Sequence, residues 1–162
     1  MHRNEQYEIS FRRMRKVVIG SDHGGVGLKD QLVAMLGDKY EIVDLGTQGT
    51  TPIDYPKIAE QVASQVTRSA SGTFGILVCG SGIGVSISAN KVKGIRCALV
   101  HDAYTARMSR QHNDANVIAL GERVTGVEVA KEAVKIFLET PFEGGRHANR
   151  VALITDIESR GC

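Results

Sequence analysis

Short β-branched runs alternate with longer amphipathic segments along almost all of this 162-residue chain. That alternation limits the fold more than any single motif does. The runs "KVVIGSD" (16–22), "YEIVDLG" (40–46), "FGILVCG" (74–80), "IRCALV" (95–100) and "NVIALG" (116–121) are brief, apolar and closed by a turn residue, the pattern of buried strands. Between them, "GLKDQLVAMLG" sets Leu28, Leu32 and Leu36 at i, i+4 and i+8, and "YPKIAEQVASQV" sets Ile58, Val62 and Val66 the same way. "TGVEVAKEAVKIFLE" continues the helical pattern near the C-terminus. Five strands alternating with helices predict an α/β fold with a parallel sheet covered on both faces.

With no linker, repeat or low-complexity tract, the expectation is one domain over 15–162, preceded by a polar extension over 1–14. That extension carries arginines but also Glu5 and Glu8, and it lacks the continuous apolar region of a secretory signal. A net charge of +2, without long basic runs, gives no reason to expect nucleic acid as a partner. No apolar stretch approaches the roughly 20 residues of a membrane span. Cys79, Cys97 and Cys162 are odd in number and form no Cys-x-x-Cys pair. A disulfide framework or zinc site is not expected, and a reducing cytoplasm is the natural compartment.

In open parallel sheets, ligands bind beyond the carboxyl ends of the strands. Polar and reactive residues collect there: Ser21, Asp22 and His23 after the first run, Gly46 to Tyr55 after the second, "CGSGIGVSISANK" (79–91) after the third, and His101 and Asp102 after the fourth. Gly80, Gly82 and Gly84 allow close backbone approach, and the helix behind them would aim N–H groups at an anion. Their spacing fits neither the dinucleotide fingerprint nor the Walker loop. A tight strand-to-helix turn would explain the glycines equally well. Cys79 tips the balance, because a thiol ahead of a helix N-terminus is favoured as thiolate, a nucleophile or a base. Cys97, within "RCALV", reads as a small core residue.

Three further residue groups each have two readings. "SRQHNDANV" (109–117) places His112, Asn113 and Asp114 before the fifth strand, as a helix cap and turn or as a site with a histidine proton carrier. "RHANR" sets Arg146 and Arg150 four apart, on one helical face about 6 Å apart along the axis. They form either a solvated basic face or a phosphate clamp. Arg123, in "GERV" after the fifth strand, could join them, while His101 and His147 read as structural or peripheral.

Taken in order, "GSDHGG" (20–25), "DYP" (54–56), "CGSGIGVSISANK" (79–91), "SRQHNDANV" (109–117), "GERV" (121–124) and "EGGRHANRV" (143–151) resemble the ribose-5-phosphate isomerase B family, which includes allose- and galactose-6-phosphate isomerases. Each motif alone is weak, and six in sequence are specific. The resemblance implies a Rossmann-like three-layer α/β/α sandwich, a homodimer with active sites at its interface, and no metal or cofactor. By resemblance, Cys79 moves a proton between C1 and C2 through a cis-enediolate, and His112 assists opening of the furanose ring. The loop Gly80, Ser81, Gly82, Ile83 and Gly84, with Asn113, stabilises the oxyanion, the Ser81 hydroxyl supporting the reacting end. Asp22 and Tyr55 would contact sugar oxygens, and His23, Arg123, Arg146 and Arg150 the phosphate. A second branch of the family replaces the cysteine with a glutamate six positions later. Val85 stands there, which assigns this chain to the cysteine branch.

The resulting expectation is a pentose-phosphate-pathway isomerase acting on ribose 5-phosphate and ribulose 5-phosphate. A six-carbon phosphosugar isomerase and a non-catalytic phosphosugar-binding regulator are the alternatives. Retention of both Cys79 and His112 disfavours the regulator, since binding alone needs neither base nor proton shuttle. Sequence leaves open whether dimers pair into tetramers.

Overall fold

The computed structural model describes residues 14–49 and 51–161. Residues 1–13 of the expected extension and Cys162 lie outside the described residues. The chain order is β1 (Lys16–Ser21), α1 (Val26–Leu36), β2 (Glu41–Asp44), α2 (Tyr55–Arg68), β3 (Phe74–Cys79), α3 (Ile83–Ala89), β4 (Cys97–Leu99), α4 (Ala103–Gln111), β5 (Val117–Gly121), α5 (Val127–Glu139) and α6 (Arg146–Ser159). All five strands pair in parallel, in the order β2-β1-β3-β5-β4.

Alternation along the strands divides the interior in two. Val17, Ile19, Ile76, Val78, Ile118 and Leu120 face one layer, where they pack with Leu28, Leu32 and Leu36 of α1 and with Ala133, Val134 and Phe137 of α5. Val18, Leu77, Cys79 and Ala119 face the other, where Ile58, Val62 and Val66 of α2 and Val85 of α3 cover them. The expected α/β/α sandwich is therefore present, with its helical leucine and valine stripes buried as their spacing requires.

The runs over 40–46 and 95–100 differ from the expectation of buried strands. Both form the sheet's outer edges, β2 and β4, with no residue fully buried in either. An edge strand has one neighbour, so apolar content alone does not place it at the centre. Cys97 accordingly is only partly buried, although its enclosure still pushes the thiol up to about 12.

Local chemistry starts and stops several helices. Asp102 accepts the Thr105 N–H at 2.7 Å, and the Thr105 hydroxyl lies 3.2 Å from the Asp102 N–H, a reciprocal cap on α4. Glu122 caps α1 from a distance, its carboxylate accepting the Leu28 N–H at 2.9 Å. α6 is the exception to burial: among its residues only His147 is buried, while Leu153, Ile154 and Ile157 are exposed.

Candidate active site

The order in which strands are added reverses between β1 and β3, because β2 lies on one side of this pair and β5 and β4 on the other. Such a switch point opens a crevice at the carboxyl ends of the two strands. The loops leaving β1 and β3 meet there. The Asp22 N–H donates to the Val78 carbonyl at 3.2 Å, and the Asp22 carboxylate accepts the Gly24 N–H at 2.9 Å. Gly24 in turn lies against the backbone of Gly80. Asp22 is buried and His23 exposed.

Cys79 ends the central strand, its side chain on the same face as Leu77 and 5% exposed. The Gly82 N–H points at its sulfur, 3.0 Å away. Gly82 holds φ +79° at the start of α3, and a side chain there would strike Leu99 and the backbone of Leu120. Only glycine meets both demands. The Ile83 N–H lies 3.3 Å from the Ser81 hydroxyl. Two loop amides are thus directed within the loop, while those of Gly84 and Val85 belong to the first helical turn, where no intrahelical acceptor exists.

Tyr55 and Arg123 close this end. The Tyr55 ring lies against Gly84, where an added Cβ would come within 2.6 Å of the ring. The Arg123 N–H donates to the Gly80 carbonyl at 3.0 Å, and its guanidinium stands beside Gly80. Ser21 Oγ and Thr125 Oγ1, both buried near the carboxyl ends of β1 and β5, have no hydrogen-bond partner among the described residues. Neither stood out in the sequence, where a serine and a threonine at strand ends carry no distinguishing signal.

A second group forms elsewhere. α4 runs back along the sheet, so His112 at its C-terminus lies near the amino end of β5. The strand register pairs Val117 with Gly75 and Gly121 with Cys79, so about 13 Å of strand rise separates the two levels. His112 stacks on His147, ring centroids 4.1 Å apart and planes within 10°. Glu143 Oε2 lies 3.3 Å from His147 Nε2 and 3.9 Å from His112 Nε2. Burial first, then the neighbouring His112 and Arg146, hold the His147 imidazole below its ordinary range. Exposed Asn113, Arg146 and Arg150 belong to this group.

One chain therefore gathers Asp22, His23, Tyr55, the Cys79 loop and Arg123 at one end of the sheet. It places His112, Asn113, Arg146 and Arg150 at the other. The expected phosphate group, His23 and Arg123 with Arg146 and Arg150, is split between them. Sequence reasoning reads His147 as structural or peripheral and does not single out Glu143, because only the fold shows that α6 begins beside the end of α4.

Known proteins match the chain closely in sequence and fold. The sequence profile described as Ribose/Galactose Isomerase matches residues 17–154. Ribose-5-phosphate isomerase B of Escherichia coli is 48% identical over 150 residues, covering 91% of this chain and 99% of that protein. The solved ribose-5-phosphate isomerase B of Clostridium thermocellum superposes with a TM-score of 0.87 at 48% identity, covering 91% of this chain and 99% of that one. The Mycoplasma genitalium enzyme, solved with bound ribulose-5-phosphate, gives a TM-score of 0.85 at 40% identity over 89% of this chain and 96% of that one. With the profile spanning most of the chain and relatives near half-identical over their full lengths, the chain belongs to the ribose/galactose isomerase family.

Proposed function

We propose that this protein interconverts ribose 5-phosphate and ribulose 5-phosphate, as an aldose–ketose isomerase of the pentose phosphate pathway in the cytoplasm. The observation that carries the chemistry is the Cys79 sulfur, at the end of the central strand with the Gly82 N–H 3.0 Å away. That N–H is placed to stabilise negative charge on the sulfur when Cys79 acts as the base. Cys79 takes the proton from C2 of the open-chain aldose and returns it to C1, while the O2 hydroxyl proton passes to O1 in the enediolate. The negative charge that develops on oxygen meets Asn113 and the amides of the Gly80 to Gly84 loop, those of Gly84 and Val85 being free of helical partners. Ser81 supports the reacting end, and Asp22 and Tyr55 bind sugar hydroxyls. His112 moves the proton that opens the ring, and His23, Arg123, Arg146 and Arg150 hold the phosphate.

These roles require both ends of the sheet at one substrate. A homodimer that sets the amino end of one chain against the carboxyl end of its partner supplies them. Two features favour it. The exposed Leu153, Ile154 and Ile157 on α6 form an apolar stripe of the kind that marks an interface. Beside it runs a groove of about 780 Å³ lined by Ile95, Cys97, Ala98, Ile154 and Ile157.

Assaying the purified protein on ribose 5-phosphate and allose 6-phosphate tests the substrate. Faster turnover of the five-carbon sugar is expected. Preference for allose 6-phosphate would move the assignment to the six-carbon isomerases, and binding without turnover of either would make it a regulator.

A further inference from the structure

The His112, Glu143 and His147 group is more than the ring-opening histidine needs. Their ligating atoms all lie within 4.8 Å of one another. His147 is 4% exposed, and its Nε2 has no hydrogen-bond partner of good geometry among the described residues. That nitrogen faces the Glu143 carboxylate at 3.3 Å. Leaving a buried imidazole nitrogen without a firm partner costs free energy, which an electron-pair acceptor would offset.

We propose that His112, Glu143 and His147 bind one divalent transition-metal ion of the zinc type, and that the bound ion switches the isomerase off by occupying the His112 imidazole. Two imidazoles and a carboxylate are a common zinc donor set, with ligand distances of about 2.0–2.2 Å that put neighbouring donor atoms roughly 3.3–3.5 Å apart. The Glu143–His147 separation of 3.3 Å already fits. His112, 3.9 Å from Glu143 and stacked parallel on His147, must swing out of that stack so that its Nε2 lone pair meets the ion, a rotation its partly exposed side chain allows. The three donors would ligate as two neutral imidazoles and one carboxylate, so binding uses lone pairs only and displaces a proton wherever an imidazole carries one. Imidazole and carboxylate together select zinc, cobalt or nickel over magnesium or calcium. Arg146 and Arg150 stand nearby and oppose a cation, so the site is one that fills when the metal is abundant rather than a permanent centre. In this proposal the ion acts as an inhibitor.

The ion site stands on geometry alone, whereas its inhibitory effect rests on the isomerase reading. Untagged, EDTA-treated protein titrated with Co²⁺ should develop the visible absorption of a four-coordinate site, saturating at one ion per chain and displaced by Zn²⁺. Glu143→Gln should weaken Co²⁺ binding at least ~10-fold, with its fold intact because the side chain is exposed. Zn²⁺ should abolish turnover of ribose 5-phosphate by the native protein, EDTA should restore it, and Glu143→Gln should stay active at the same Zn²⁺ concentration. No Co²⁺ spectrum, or one unchanged by Glu143→Gln, would overturn the site. Equal inhibition of both proteins would overturn the switch and point to Cys79 as the zinc target. A Glu143-dependent spectrum in a protein that turns over no sugar phosphate would support the site and sink the isomerase reading instead.

Discussion

Cys79 and Cys97 lie on strands two places apart in one sheet, in different surroundings. Cys79 is the more buried, yet its sulfur receives the Gly82 N–H. Cys97 is the more open, yet its environment pushes the thiol up to about 12. Thiolate content rather than exposure governs alkylation, so iodoacetamide should modify Cys79 before Cys97, as read by peptide mass spectrometry, and substrate should protect Cys79. Cys79→Ala should bind phosphosugar and lose nearly all turnover. Near-normal turnover in that variant would remove the thiol from the reaction. Gly84 offers a subtler test at the same scale. An alanine there gains about 1 kcal/mol of helix propensity in α3, while its Cβ would press on the ring of Tyr55, which is 42% exposed and free to swing aside. Gly84→Ala should therefore keep its melting temperature and raise KM by displacing Tyr55. A variant with unchanged KM would separate Tyr55 from the substrate.

At the scale of elements, the leucine and valine stripes of α1 and α2 and the five apolar runs were legible because 3.6- and 2-residue periods are properties of the chain itself. Strand order was not. Nothing in "NVIALG" or "IRCALV" states that the later run sits nearer the centre, since that depends on which crossover helix fits which face. The same gap hid the neighbours of His147, read from sequence as structural or peripheral, because two helices distant in sequence meet only once the sheet is assembled. Lys29 is another residue that only the fold explains. It lies at 1% exposure in α1, its ammonium 2.7 Å from Asp44 of β2 and 2.8 Å from Asp30. Burial works to lower its pKa, but the hydrogen bonds to Asp30 and Asp44 prevail and hold it above the ordinary range. Asp44 also accepts the Gly46 N–H at 2.9 Å, so one carboxylate ties the edge strand to both the helix and the following loop. Asp44→Asn leaves the ammonium with Asp30 alone and should destabilise the fold by about 1–3 kcal/mol, read from chemical denaturation. Adding Lys29→Met should recover part of that loss, because the buried charge is then gone. If the double variant is as unstable as the sum of the singles, the pair is not what holds β2.

For the whole molecule, the decisive feature is the distance between its two groups of functional side chains. Cys79 lies level with Gly121 and His112 beyond the start of β5 at Val117, and a substrate the size of a pentose phosphate cannot bridge the sheet from end to end. Either one group is idle or two chains cooperate. The two possibilities differ in what happens when damaged chains are mixed. Cys79→Ala and His112→Ala should each be inactive as pure proteins, with ring-opening loss in the second bypassed only by substrate already in the open form. When they are co-expressed, random pairing makes about half of the dimers mixed, and each mixed dimer carries one site with both residues intact. Activity should return to about a quarter of the native level, the proportion a two-fold symmetric shared site dictates. A site built within one chain would leave every mixed dimer dead, because each chain would then bring its own defect to its own site. Recovery near a quarter, together with a mass of twice the chain's 17.5 kDa by light scattering, would place each active site between two chains. Absence of recovery in a purified mixed dimer would place Cys79 and His112 in separate tasks and return the ring-opening role to a residue near Cys79.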